Sequence, residues 1–282
     1  MIKMNHLRIR DTIFDWGKRT YLMGILNVTP DSFSDGGDFN SLETALSQAK
    51  TMIHGGADII DIGGQSTRPG AEEITLEEEL KRVIPVIKRL RQDSSIPISI
   101  DTTRSIVAQA AIEAGADIVN DISGGSFDEK MFSMVAKLEV PIIIMHIRGT
   151  PKTMQQKTDY KDIIHEIIEW LNVQINQAIQ AGINQHHIII DPGIGFAKNY
   201  QQNLELLQNL SKFHRLTCPI LVGVSRKSFI GHILNQKDPK KRVWGTAAAC
   251  CGAIASKADI LRVHDVAEMK DVVQVADEIW RK

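Results

Sequence analysis

Two patterns alternate along the chain. Eight short, nearly continuous apolar runs recur: YLMGILN, ADIIDIGG, IPISIDTT, ADIVNDIS, VPIIIMHIRG, HIIIDPGIGF, PILVGVSRK and ADILRVHD. Runs of this length without in/out alternation fit strands buried on both faces, as in parallel sheets. Between them the apolar residues fall near a 3.6-residue period. Over 41–55, Ser41 is placed to cap a helix, Leu42, Ala45, Leu46, Ala49, Met52 and Ile53 share one face, and Gly55-Gly56 stops it. The same periodicity predicts helices over 73–91, 104–114, 129–138, 161–181, 201–213, 243–256 and 266–280. Three of the turns from helix to strand reuse one phrase: Gly55-Gly56-Ala57-Asp58, Gly115-Ala116-Asp117 and Lys257-Ala258-Asp259.

Strand and helix alternating eight times predict an α/β fold, a (β/α)8 barrel, for which about 250 residues are typical. The alternative, a doubly wound open sheet, needs a glycine-rich first turn of the dinucleotide-binding type, which is missing. We read the chain as one domain over 1–282, with 1–20 as an amino-terminal extension. Residues 7–21 fit a β-hairpin with its turn at Asp15–Lys18, a loosely docked tail being the alternative.

Composition narrows the class. With 43% hydrophobic residues, 24% charged and a net charge of −1, the chain reads as an ordinary soluble enzyme without a basic stripe for nucleic acid. Its apolar stretches are too short to span a bilayer, and MIKMNHLRIRD lacks the apolar centre of a signal peptide, so a cytoplasmic address is expected. Cys218, Cys250 and Cys251 show no metal-binding spacing and read as small buried residues.

The polar residue that ends each run carries the candidate chemistry, because barrel active sites sit at the strands' carboxyl ends. Asn27, Asp61, Asp101, Asn120, His146, Asp191, Lys227 and His264 are expected to face one mouth. A buried carboxylate needs donors, so Asp101 or Asp191 alone could equally cap a helix or pair with a base. Together with Asn120 and Lys227 they suit a flat heterocycle rich in amide-type donors and acceptors. Arg262 and His264 share one strand face, as do Ser225 and Lys227. Barrels often hold phosphate near strands seven and eight, so Arg262 and His264, with Asn27 from strand one, are expected to hold a diphosphate, with Mg2+ as helper. The structural alternatives are an ion pair from Arg262 to Asp259 or Asp265 and a hydrogen-bonded, buried His264. Loops over 27–38 and 65–70, rich in Gly, Pro, Ser and Asp, are expected to close over a substrate, with Arg68 suited to an anion. His146 reads as structural, since no nucleophile or zinc spacing accompanies it. His186-His187 should lie at the opposite end of the barrel, facing solvent.

The motifs GILNVTPDSFSDGG, DIGGQSTRPGA, SIDT, NDISGG, MHIRGTPKTMQ, DPGIGF, GVSRKSFIG and RVHDV resemble, in content and order, the signature series of the bacterial dihydropteroate synthase family, over nearly the whole chain. The resemblance implies a pterin-binding TIM barrel. It also implies a transferase of folate biosynthesis that joins 4-aminobenzoate to (7,8-dihydropterin-6-yl)methyl diphosphate, releases diphosphate and is targeted by sulfonamides. By matching motif, Asp101, Asn120, Asp191 and Lys227 would hold the pterin, and Arg262, His264 and Asn27 with Mg2+ the diphosphate, Thr67 lying nearby. Phe33, Ser34, Arg68, Pro69, Phe196 and Ser225 would frame the arylamine, and Asp35 would help enclose the reacting methylene. Asp101, Asp35, Lys227 and Arg262 then form the catalytic set for a dissociative substitution, and a homodimer through the outer helices is implied. Gln65, Thr103 and Ala197 depart from the family pattern, which commonly has Glu, Tyr and Gly there. Two other readings stay open at this point: a pterin-binding barrel that passes a methyl group from a reduced folate to a corrinoid partner, and a pterin-binding protein without catalysis.

Overall fold

The computed structural model describes residues 6–29, 38–68 and 70–281, without the side chains of 38–41. Strands β1 (His6–Ile9) and β2 (Thr12–Asp15) precede eight barrel strands: β3 (Tyr21–Asn27), β4 (Ile59–Gly63), β5 (Ile98–Asp101), β6 (Ile118–Asp121), β7 (Ile142–Met145), β8 (Ile188–Asp191), β9 (Leu221–Val222) and β10 (Ile260–Val263). The helices are α1 (Asp38–His54), α2 (Leu76–Asp93), α3 (Ser105–Glu113), α4 (Met131–Leu138), α5 (Ile163–Gln180), α6 (Tyr200–Gln208), α7 (Ser228–Ile233), α8 (Val243–Ala255) and α9 (Val266–Trp280). The eight barrel strands pair in parallel in the order β8-β7-β6-β5-β4-β3-β10-β9. A bridge between Ile190 and Ile220, with the Ile190 N–H donating to the Pro219 carbonyl at 3.0 Å, joins the two ends into a barrel. Among the described residues no helix is long and apolar enough to cross a membrane.

Four details differ from the sequence reading. Helix α1 begins at Asp38, so Ser41 lies within it and not at its cap. The hairpin turns at Arg10-Asp11, since Ile9 pairs with Thr12, and not at Asp15–Lys18, which instead links the hairpin to β3. Arg10 takes a left-handed φ of 54°, and its side chain is held by Asp117 Oδ1 at 2.5 Å and the Gly115 carbonyl at 3.3 Å. Those tertiary contacts offset a conformation that a local rule would reserve for Gly or Asn. The helix expected over 201–213 splits at Asn209, whose Nδ2 donates to the Glu205 carbonyl at 2.9 Å, and the chain continues as a 3-10 segment over Leu210–Leu216. An extra short helix, α7, follows β9, where the periodicity predicted none.

The hairpin is a plug, not a loose tail. Leu7, Ile9 and Phe14 pack into the inward-facing layer of Tyr21, Met23, Ile59, Ile118, Ile143, Ile189, Leu221 and Ile260. Phe14 is fully buried there, in ring contact with Trp16 and Tyr21. Removing such a ring costs about 3–5 kcal/mol.

The repeated turn phrase seals the same end. Gly56, Gly115 and Lys257 all take left-handed φ, of 96°, 114° and 66°. Each following alanine donates back across the helix end, Ala57 to Met52 O, Ala116 to Ala111 O and Ala258 to Ala253 O. The aspartate that comes next then accepts an N–H from the start of the preceding strand: Asp58 from Leu22 at 2.8 Å, Asp117 from Ile98 at 2.8 Å and Asp259 from Ile220 at 2.9 Å. With this end filled by apolar side chains and its backbone groups satisfied, the barrel interior is approached from the other end.

Candidate active site

Side chains alternate along a strand, so the residues facing into the barrel follow from register. Asp61 on β4 lies level with Ser99 on β5, and Asp101 lies between Gly63 on β4 and Asn120 on β6. Asp191 ends β8, and Arg262 projects from β10 on the far side of β3. These side chains converge just above the apolar layer.

Arg262 is the hub. Its Nε donates to Asp61 Oδ2 and its Nη2 to Asp101 Oδ2, each at 2.6 Å. The alternative partners fall elsewhere: Asp265 pairs with Arg226, and Asp259 accepts backbone N–H groups of Gly17 and Ile220. Burial alone would lower the Arg262 pKa, but Asp61 and Asp101 outweigh it and hold the guanidinium charged. Asp61, fully buried, also accepts from Asn120 Nδ2 at 3.0 Å, while its Oδ1 and the neighbouring Ser99 Oγ have no hydrogen-bond partner. The sequence placed Asp61 at the mouth without a role. Here it fixes the orientation of both Arg262 and Asn120 from below.

Asp101 sits in the same network with its pKa pushed up to about 7, by burial first and by the Asp61 charge, against the lowering pull of Arg262. Asp191 is likewise raised by burial, while the Gly193 N–H, donating to Oδ1 at 2.7 Å, and Lys227 act to lower it. Burial brings Lys227 down to about 8, opposed by Asp191. The Lys227 ammonium lies 4.2 Å from the centre of the Phe196 ring. Two glycines make this arrangement fit: a Cβ on Gly195 would meet Lys227 Cδ at 2.8 Å, and one on Gly193 would stand 2.0 Å from the His146 carbonyl oxygen.

His146 is buried, its ring edge-on to Trp170, and its Nδ1 lies 3.1 Å from Lys198 Nζ. It supports the site from behind, in keeping with the structural reading. Lys198, which nothing in the sequence singled out, donates to the Phe196 carbonyl at 2.7 Å and so pins the backbone next to Ala197, which takes a left-handed φ of 51°. No periodicity or spacing marks such a residue.

His264 is mostly buried, and its pKa falls to about 3 through burial and the nearby Arg226, Arg262, Arg68 and Lys227. It presents a neutral imidazole whose Nδ1 lies 3.0 Å from Ser225 Oγ. Asn27 ends β3 level with Gly63. Half-buried Thr67 lines, with Asp101, Gln65 and Thr103, a cavity of about 630 Å3 on the β4–β6 side of the mouth. Arg68 is exposed, and Phe196 is buried beneath Lys227. Phe33, Ser34, Asp35 and Pro69 lie outside the described residues. His186 is exposed and His187 half-buried, just before β8 and away from this mouth.

A single open mouth ringed by Asp, Asn, Lys and Arg suits a polar planar ring carrying an anionic group. Comparison with known proteins agrees. The model of the pterin binding enzyme family matches residues 23–264. The dihydropteroate synthase of Synechocystis is 61% identical over 98% of this chain and 95% of its own length. The dihydropteroate synthase of Clostridium difficile, solved with pteroic acid, superposes with a TM-score of 0.91 at 48% identity, over 95% of this chain and 100% of that one. That of Xanthomonas albilineans, solved with 4-aminobenzoic acid, superposes with a TM-score of 0.91 at 40% identity over 98% of both. The chain belongs to the pterin-binding enzyme family and, within it, to the dihydropteroate synthases.

Proposed function

We propose that this chain joins 4-aminobenzoate to (7,8-dihydropterin-6-yl)methyl diphosphate, giving 7,8-dihydropteroate and diphosphate in folate biosynthesis. The observation that carries this reading is the convergence of Asp101, Asn120, Asp191 and Lys227 on one mouth beside Arg262. Asp191 and Asn120 offer the acceptors and amide group that a pterin's N–H and carbonyl edge needs, and Lys227 a donor for a ring carbonyl.

An aryl amine is a weak nucleophile and diphosphate a good leaving group, so departure of diphosphate precedes attack in this reading. The site then acts through fixed charge more than through a strong base. Ionised Asp101 offsets positive charge developing at the pterin methylene, and Arg262 faces the departing anion. Asp35 has the same assignment as Asp101. Arg68, Phe33, Ser34, Pro69 and Phe196 bound the arylamine, while His264, Asn27 and Thr67 bound the diphosphate.

Mg2+ belongs to this reading, and its donor set can be tested against the residues present. Among the described residues no three carboxylate, imidazole or thiolate groups are placed to hold a metal ion by themselves. Asn27 would supply one neutral amide oxygen, which fits a hard cation held mainly by diphosphate oxygens and water. Bound there, Mg2+ would neutralise charge on the leaving group.

A cytoplasmic homodimer completes the proposal. Support for the dimer is a set of exposed apolar residues on three outer helices: Ile233 on α7, Leu234 beside it, Trp244 on α8, 77% exposed, and Val275 and Ile279 on α9. Diphosphate release that depends on 4-aminobenzoate tests the activity. Release at the same rate without the amine would overturn it.

A further inference from the structure

Ser225 carries one hydroxyl proton, and two groups of His264 lie within hydrogen-bond reach of its oxygen. The Oγ accepts the backbone N–H of His264 at 3.1 Å and lies 3.0 Å from His264 Nδ1. A hydroxyl has one donor and two acceptor sites. The backbone N–H takes one acceptor site, so the contact with Nδ1 either spends the proton or fills the second acceptor site.

The surroundings decide between these. Four cationic side chains, Arg226, Arg262, Arg68 and Lys227, lie close enough to disfavour a charged imidazole. The ring is therefore neutral, with one N–H. A diphosphate is all acceptor, so the nitrogen turned away from Ser225, Nε2, is useful to it only when it carries that N–H. Nδ1 must then accept, and the Ser225 hydroxyl is the donor in place.

The backbone is built to keep the two residues together. Arg226, between Ser225 and Lys227, takes a left-handed φ of 59°, which a side chain adopts only when other contacts hold it there. Its N–H donates to Thr246 Oγ1 at 3.0 Å, and its carbonyl accepts from Arg242 Nη1 at 2.9 Å. Its guanidinium pairs with Asp265, the residue after His264, through Nε at 3.0 Å and through Nη2. The loop after β9 and the loop after β10 are thus tied at two points, one residue apart on each loop.

We propose that Ser225 is a positioning residue for His264: its hydroxyl donates to Nδ1 and fixes the imidazole as the Nε2–H tautomer, which presents a donor at the mouth. The same proton is then not available to an arylamine carboxylate, which moves Ser225 from the arylamine group to the diphosphate side. The choice of this tautomer, and the use of its Nε2–H by diphosphate, rest on the function proposed above; the contact between Ser225 and Nδ1 does not.

The test is a nitrogen NMR measurement on histidine-labelled, ligand-free full-length protein, with His264→Asn used to assign the signals. Wild type should show one His264 form, with Nδ1 of the acceptor type and Nε2 carrying hydrogen. Ser225→Ala should lose that single form, and Ser225→Thr, which keeps the hydroxyl, should restore it. In calorimetry with inorganic diphosphate in Mg2+ buffer, Ser225→Ala should bind roughly tenfold more weakly, the effect of one hydrogen bond to a charged group. An Nδ1–H tautomer in wild type, or an unchanged tautomer in Ser225→Ala, would overturn the proposal. So would a Ser225→Ala protein that loses affinity for 4-aminobenzoate alone. If wild type binds no diphosphate yet shows the single tautomer, the positioning role stands and the functional reading fails.

Discussion

Three aspartates at the plugged end of this barrel and three that face its mouth, all buried or nearly so, are treated in opposite ways. At the plugged end Asp58, Asp117 and Asp259 accept strand N–H groups, and the first two also pair with Arg19 and Arg91 at 2.6 Å. At the open end Asp61 leaves one oxygen without a partner, while Asp101 and Asp191 are held in forms that burial disfavours. Carboxylates that stabilise a fold are satisfied by it. At the mouth Asp101 and Asp191 instead carry a burial cost that a bound ligand would offset.

The largest effects should separate the two sets. Asp101→Asn keeps the shape and removes the charge, so turnover should fall by about 100- to 1,000-fold, the usual loss for one preorganised electrostatic group, while the melting temperature holds or rises. Asp117→Ala should do the reverse. Stranding Arg91 should cost about 3 kcal/mol and lower the melting temperature by roughly 6–12 °C, with turnover of the folded enzyme unchanged. Calorimetric melts beside steady-state assays check both, and a melting loss in Asp101→Asn as large as that in Asp117→Ala would erase the contrast.

Binding should show the next largest effect. Asp191→Asn and Lys227→Ala each leave a buried polar partner unmatched, so affinity for the pterin diphosphate should drop by about 10- to 100-fold. Near-native affinity for both in titration calorimetry would remove them from the pterin site.

A smaller effect is a difference in sign. Asp101 has a folded pKa raised to about 7, above its ordinary value, so the stability it contributes is full at low pH and is lost as pH rises through 7. Under the proposed mechanism activity runs the other way, because the ionised form would do the electrostatic work. Then kcat/KM should climb through about pH 7 and fall above about pH 8 as Lys227 loses its proton, both values belonging to the coupled network. Asp101→Asn should flatten the rising limb of activity and weaken the stability slope. Part of that slope should remain from Asp121, raised to about 6, and from Asp259, also raised by burial.

The contrast between the ends also explains what could be read from the chain. Strand order, the mouth and the convergence of Asp101, Asn120, Asp191, Lys227 and Arg262 were legible because buried parallel strands are continuous apolar runs and these runs end in polar residues. Asp61's grip on Arg262 and Asn120 was not, because it depends on Arg262 reaching across β3 to β4, and nothing local encodes that reach. Lys198 was hidden for the same reason. The hairpin turn was misplaced because Arg10 obeys a contact with Asp117, more than a hundred residues away, in preference to its own turn propensity.

The smallest effect tests the plugged end alone. Its three turn phrases are equivalent in hydrogen bonding, yet the left-handed position is Gly56 in one, Gly115 in the second and Lys257 in the third. A side chain in that conformation costs about 1–2 kcal/mol, part of which glycine would return by losing more freedom on folding. Lys257 is exposed, and its ammonium reaches the Trp280 carbonyl, a surface contact that contributes little. Lys257→Gly should therefore stabilise the protein by about 0.5–1 kcal/mol and raise the melting temperature by roughly 1–4 °C, leaving kcat and KM as they are. A fall in melting temperature would mean that the lysine's contact with the end of α9 outweighs the backbone strain, and that the three turns, alike in geometry, are held by different forces.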